Sequence, residues 1–241
     1  MDAVAKNSHN YGMSLPTAVL RLSTDVLADI NDDERLAFAY AYGSALSGFG
    51  EEAELVCVWE TETVPADASD EAVHLTVERF QELLDQLGRG EGWREPGDEA
   101  LPVIARFAEG TLLADDSELG SKARAQVTEF PEALADASRK AVAGEVEALA
   151  KRLGVAEDPW ELVEILTGGL HRAYVALFAA GDYFFAGREH RAAFVERYVL
   201  GDEVPAAEAA VWAAAEAPLP ERAERLPEAW RALVRTVLDN C

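Results

Sequence analysis

The stretch Ala41-Tyr-Gly-Ser-Ala-Leu-Ser-Gly-Phe-Gly-Glu-Glu-Ala-Glu-Leu-Val-Cys-Val-Trp59 decides how the rest of the chain is read. Residues 55–59 form a continuous β-prone apolar run, the pattern of a strand buried on both faces. Upstream, residues 35–42 alternate small and aromatic side chains and lead into Gly43-Ser44, so the second half of that segment reads as a strand ending in a turn. The seven residues between Ser44 and Glu52 leave room for one short helix. Working outward, residues 73–77 are a third strand candidate, followed by an amphipathic helix over 80–87. Residues 14–30 carry Leu15, Val19, Leu20, Leu22, Val26, Leu27 and Ile30 as a helical stripe.

From about Leu101 the texture turns helical. Helices are expected over 101–113, 131–153, 159–180, 189–199, 206–217 and 227–238, separated by Gly, Pro and Asp loops. Residues 120–130 interrupt the pattern. The expected fold class is therefore α+β, with a mixed-sheet domain over 1–120 and a helical bundle over 121–241.

Composition sets limits on function. The chain has 241 residues, 49% of them hydrophobic, and 45 acids against 21 bases, for a net charge of -24. That is a globular composition, and it lacks the basic stripe that phosphate-backbone binding requires. No nucleic-acid partner is expected. No uninterrupted apolar run reaches the roughly 18 residues of a membrane span and the start lacks a secretion-signal pattern, so no membrane association and a cytoplasmic location are expected. Cys57 and Cys241 have neither metal-ligand nor disulfide-framework spacing. Gly48-Phe-Gly-Glu-Glu-Ala53 formally matches a dinucleotide fingerprint, but that motif must open a helix and here a strand follows almost at once. Phosphate-loop, zinc-protease and nucleophile-elbow motifs are absent.

Chemistry concentrates in the opening stretch. Alternate strand residues face the same way, so Glu52 and Glu54 are expected side by side as a site for a hard divalent cation. Gly43 lets backbone approach a phosphate, and the Ser44 hydroxyl can bind its oxygens. The aromatic set Tyr174, Phe178, Tyr183, Phe184 and Phe185 has the spacing of core, although such rings can also stack on a base or an acceptor.

The layout of strand, Gly-Ser, spacer and acid-x-acid at the start of a hydrophobic strand resembles the nucleotidyltransferase (polymerase β-like) superfamily, in particular its small bacterial kanamycin-, streptomycin- and lincosamide-modifying members. The resemblance implies a nucleotidyltransferase-like sheet domain followed by a helical domain. It implies transfer of a nucleoside monophosphate, AMP foremost, from Mg2+-bound ATP or another nucleoside triphosphate to a hydroxyl of a small, cationic acceptor. Carried over, Glu52 and Glu54 would hold Mg2+, with His74 at the third ligand position and Glu78 or Asp70 as alternatives. Gly43, Ser44 and Arg188 would contact the nucleotide, with Arg172 a second candidate from the helical half. Glu99, Glu109 and Asp115 are candidates for the base; the catalytic set is taken as Glu52, Glu54 and Glu109. The chain departs from the family in using glutamates for aspartates, in its short spacer and in His74. These departures keep open a catalytically degenerate member that binds a nucleotide, metabolite or protein partner. A homodimer is compatible with the sequence.

Overall fold

The computed structural model describes residues 16–30, 33–185, 187 and 191–241. It opens on a helical rod made of Thr17–Arg21 (α1), a π-helical turn Leu22–Val26 and Leu27–Ile30 (α2). There follow Leu36–Tyr42 (β1), Ser44–Ser47 (α3), Glu54–Trp59 (β2), Val73–Thr76 (β3), Val77–Gly88 (α4), Ala100–Glu109 (α5) and Thr111–Ala114 (β4). The remainder is helical: Leu119–Gln126 (α6), Glu132–Val155 (α7), Pro159–Ala180 (α8), Arg191–Tyr198 (α9), Val204–Ala215 (α10) and Leu219–Asp239 (α11). The architecture is mixed α+β, as the sequence implied. The start of the first expected helix, Ser14 and Leu15, lies outside the described residues.

The four strands form one mixed sheet in the order β3-β2-β1-β4. β1 pairs antiparallel with β2 and β4, while β3 runs parallel to β2. Phe38, Tyr40, Val56 and Val58 face α4 and α5, where they join Phe80, Leu83, Leu87, Leu101, Ile104 and Phe107. Ala39, Leu55, Cys57 and Trp59 face the other way and pack with Leu27 of α2. Burial on both faces explains the unbroken apolar run at 55–59. The same burial pushes the Cys57 thiol up to about 12.

Three boundaries differ from expectation. The helix expected over 101–113 stops at Glu109, and residues 111–114 pair with β1 as an edge strand. Gly110 forces the change, because it lies so close to β1 that an added Cβ would come within 2.6 Å of the Ala41 carbonyl. The segment expected to interrupt the helical pattern, 120–130, contains most of α6. Asp115 holds the start of α6 by accepting from the Gly120 and Ser121 amides at 2.7 Å each, a capping interaction. Finally, α11 starts at Leu219 and carries Pro227 in its interior, whereas Pro227 was expected to open it. Gly154 of α7 packs against the Pro227 ring, and α7 continues past it to Val155.

In the helical half α8 is central. It is long and apolar enough to cross a membrane by length and composition, but 78% of its most apolar window is buried in the protein. Trp230 of α11 lies against Gly169 of α8 so closely that an added Cβ would meet its ring at 2.7 Å. One hydrophobic cluster runs from the sheet through α4 and α5 into α7, α8 and α11. Polar contacts reinforce the seam: His171 Nε2 donates to the Trp93 carbonyl at 2.7 Å, and Arg172 pairs with Glu95 and Glu145.

Phe107 sits where four aromatic rings meet, edge-on to Tyr40 and Phe80 and tilted against Phe38. Phe107→Ala is expected to cost about 3–5 kcal/mol of stability, read from the midpoint of a denaturant titration followed by circular dichroism.

Candidate functional site

The Gly-Ser turn and the acidic segment are held together at one end of the sheet. Gly43 has φ +135°, a conformation that favours glycine, and a Cβ there would sit 2.5 Å from the Glu52 carbonyl and 2.9 Å from Ala53 Cα. The Ala45 amide donates to the Glu52 carbonyl at 2.9 Å, while the Glu52 amide donates to Ser44 Oγ at 3.3 Å. Thus Gly43 and Ser44 clasp the segment that leads into β2. Glu54 lies directly opposite Tyr42 in the β1–β2 register, and the Tyr42 hydroxyl donates to Glu54 Oε2. Burial, and then that hydrogen bond, push the Tyr42 phenol up and keep it a donor.

The wall beside this pair comes from α5. The Arg106 guanidinium lies 4.7 Å from the Tyr42 ring centre, a cation–π contact. One helical turn on, Glu109 ends α5 as an exposed residue, and the protein packed around it still pushes its carboxyl above the usual range, against the opposing hydrogen bond from Tyr198. Tyr198 of α9 donates to Glu109 Oε2 at 3.2 Å. A further bridge to α9 is aromatic: Phe49, in the spacer, meets the Phe194 ring edge-on at 4.9 Å, with Arg197 5.1 Å from its centre. Tyr183 stacks on Tyr198 at 4.0 Å. Gly43, Ser44, Glu52, Glu54 and Glu109 therefore occupy one region where the sheet end meets α9.

Comparison with protein-family models and with curated proteins finds no match.

Other expected residues lie elsewhere. His74 is beside Cys57 on β3, so it projects from the opposite face of the sheet from Glu54. Its Nδ1 accepts from Trp59 Nε1 at 3.1 Å and its Nε2 donates to the Ser69 carbonyl at 2.6 Å. Both ring nitrogens are engaged, which leaves no lone pair for a metal. In this arrangement His74 braces β3 and does not face the expected carboxylate pair. Asp70 lies in the turn before β3 and Glu78 in the first turn of α4, both exposed. Among the described residues no group of three or more His, Cys, Asp or Glu is arranged to hold a metal. Glu99 pairs with Arg79 at 2.6 Å, Asp115 caps α6, and Arg172 is committed to Glu95 and Glu145. Arg188 lies outside the described residues.

Sequence reasoning missed Tyr42, Arg106, Phe49 and Tyr198. Tyr42 adjoins the Gly-Ser pair and was legible as its neighbour; the other three reach the site only through tertiary packing. Of the aromatic set, Tyr174, Phe178, Phe184 and Phe185 are buried core, while Tyr183 stacks on Tyr198 of the α9 wall, which Phe178 also meets edge-on.

Two outcomes test this geometry. Gly43→Ala should destabilise the protein by about 1–3 kcal/mol, since the methyl meets backbone at a positive φ; thermal unfolding measures it. Tyr198→Phe removes a donor to the Glu109 carboxylate and should raise the Glu109 pKa further, read from the carboxyl carbon shift in an NMR titration.

Proposed function

We propose that the chain is a nucleotidyltransferase-type protein that moves a nucleoside monophosphate, AMP foremost, from a magnesium nucleoside triphosphate to a hydroxyl of a small cationic acceptor. The observation that carries this reading is the clasp between Gly43-Ser44 and the Glu52–Glu54 segment. It ties a turn able to approach phosphate to the backbone just ahead of β2, where Glu52 stands two residues before the strand rather than on it and Glu54 opens the strand. The strand order, with β1 antiparallel and β3 parallel to β2, is compatible with it.

The donor set suits magnesium, which takes one or two carboxylates together with substrate phosphate oxygens. Glu52 and Glu54 are exposed oxygen donors two positions apart, and Tyr42 occupies only one oxygen of Glu54. When bound, the ion would neutralise charge on the phosphates and on the departing pyrophosphate. The chain's own residues would do the rest. Ser44 and the Gly43 backbone would contact phosphate oxygens, and Arg106 and Arg197 would offset the negative field of the chain. Glu109 Oε1 or Oε2 would take the proton from the acceptor hydroxyl as its oxygen bonds to the α-phosphorus. Crowding around Glu109 raises its proton affinity, which suits that task. The ring wall of Phe49, Phe194 and Tyr198 would offer faces to a cationic acceptor.

A second reading has its own observation. With His74 locked between Trp59 and Ser69, the carboxylate pair lacks the third ligand expected on β3, which favours a degenerate protein that binds a nucleotide or metabolite without turning it over. Pyrophosphate release in a panel of triphosphates, magnesium or manganese, and aminoglycoside or lincosamide acceptors separates the two. Turnover removes the second reading, whereas saturable nucleotide binding without pyrophosphate removes the first. Glu52→Gln with Glu54→Gln should abolish magnesium-dependent nucleotide binding in calorimetry with little change in the melting curve. Unchanged affinity in that double variant would sink the metal assignment.

A further inference from the structure

The five tryptophans divide sharply. Trp59, Trp93 and Trp230 are buried and Trp212 is half-buried with its Nε1 on Glu208, but Trp160 is 82% exposed. It stands in the first turn of α8, which Asp158 caps through the Trp160 and Glu161 amides. Val163 follows one turn later on the same side and is also exposed, as are Val155 at the end of α7 and Leu219 at the start of α11. The Arg222 guanidinium donates to the Ala156 carbonyl at 2.8 Å, so the beginnings of α8 and α11 lie at the same end of the bundle. Among the described residues no hydrogen bond or ring contact engages the indole. A large aromatic left in water at the tip of a helix has the character of an interface anchor, where Trp is among the strongest contributors.

The surroundings select the partner. Glu157, Asp158, Glu161 and Glu164 flank the indole, all exposed, and Glu157, Glu161 and Glu164 make no ion pair among the described residues. The nearest bases in sequence, Lys151 and Arg152, stand a turn before Val155. We propose that this end of the helical half, anchored by Trp160 and Val163, is a docking surface for a cationic amphipathic segment of a partner protein. The indole enters the apolar face of the partner, and the glutamates meet its lysines or arginines. A second copy of this chain is a poor occupant, because the same glutamates would oppose one another on a molecule of net charge -24. An anionic bilayer is repelled for the same reason.

The test uses the full chain and a fluorescein-labelled helical peptide of about fourteen residues built from leucine and lysine. The comparator has the same charge with every leucine replaced by serine. In anisotropy titrations at physiological salt, the leucine peptide should bind roughly tenfold tighter or more than the comparator. Trp160→Ala should weaken it by about the same factor, and Glu161→Lys with Glu164→Lys should weaken it comparably. These side chains are exposed, so circular dichroism should be unchanged in the variants. Equal binding of the two peptides, or full affinity in Trp160→Ala, overturns the proposal in favour of diffuse attraction to an acidic protein. No binding of the leucine peptide overturns it outright. Binding to neutral phosphatidylcholine vesicles that Trp160→Ala abolishes would reassign the surface to lipid. A dimer in sedimentation velocity that Trp160→Ala dissolves would reassign it to a second copy.

Discussion

The structure depends on keeping β1 and β2 dry on both faces. A strand run such as Leu55 to Trp59 cannot leave either face in water without losing the burial that makes it a strand. One face is covered by the rod that ends in α2, which brings Leu27 onto Ala39, Leu55 and Cys57. The other is covered by α4 and α5; α4 is amphipathic, with Glu78, Gln81, Glu82 and Asp85 in solvent, while Leu83, Leu84 and Leu87 are buried and join, with Trp93, the cluster that continues into α7 and α8. The helical half is therefore a second layer over the sheet, continuous with its core. Arg172 and His171 then fix the register of that layer against the loop between α4 and α5.

The same arrangement accounts for where the candidate site lies. Polar residues on the central strands can survive only where the sheet runs out, and Tyr42 and Glu54 close β1 and β2 at that end. Gly43 permits the tight approach of the 52–53 backbone, and α5 ends beside it at Glu109. Helix α9 comes up against this end with Tyr198 and Phe194. Its first residue is fixed by a buried network: Arg191 pairs with Glu208, which also accepts from Tyr174 at 2.5 Å and from Trp212 at 3.1 Å. A buried carboxylate with three donors is satisfied, and it sets the position of α9 and hence of the wall facing Glu109.

What could be read in the sequence follows from which signals are local. The run at 55–59, the stripe read over residues 14–30 and the long helices α7 and α8 announce themselves by period and composition. β4 did not, because Thr-Leu-Leu-Ala continues the apolar pattern of α5 and only the closeness of Gly110 to Ala41 ends the helix. Pro227 misled for a related reason: a helix interior can accept proline when neighbouring packing compensates, and here Gly154 leaves room for the ring. In the site, Gly43, Ser44, Glu52 and Glu54 were legible because they are near in sequence. For His74 the strand position alone does not show which face it takes or that Trp59 and Ser69 use both its nitrogens. Arg106 and Tyr198 arrive from distant segments, and no local pattern marks them.

Cys57 gives the two-faced sheet a chemical meaning as well as a mechanical one. At the centre of β2, with its thiol held near 12, it has almost no thiolate at neutral pH, and thiolate is the species that oxidants and alkylating agents attack. Its inertness comes from the fold rather than from the residue. Oxidative damage at this position must wait for the strands to part, so the lifetime of the closed sheet also sets the lifetime of the reduced protein at that atom.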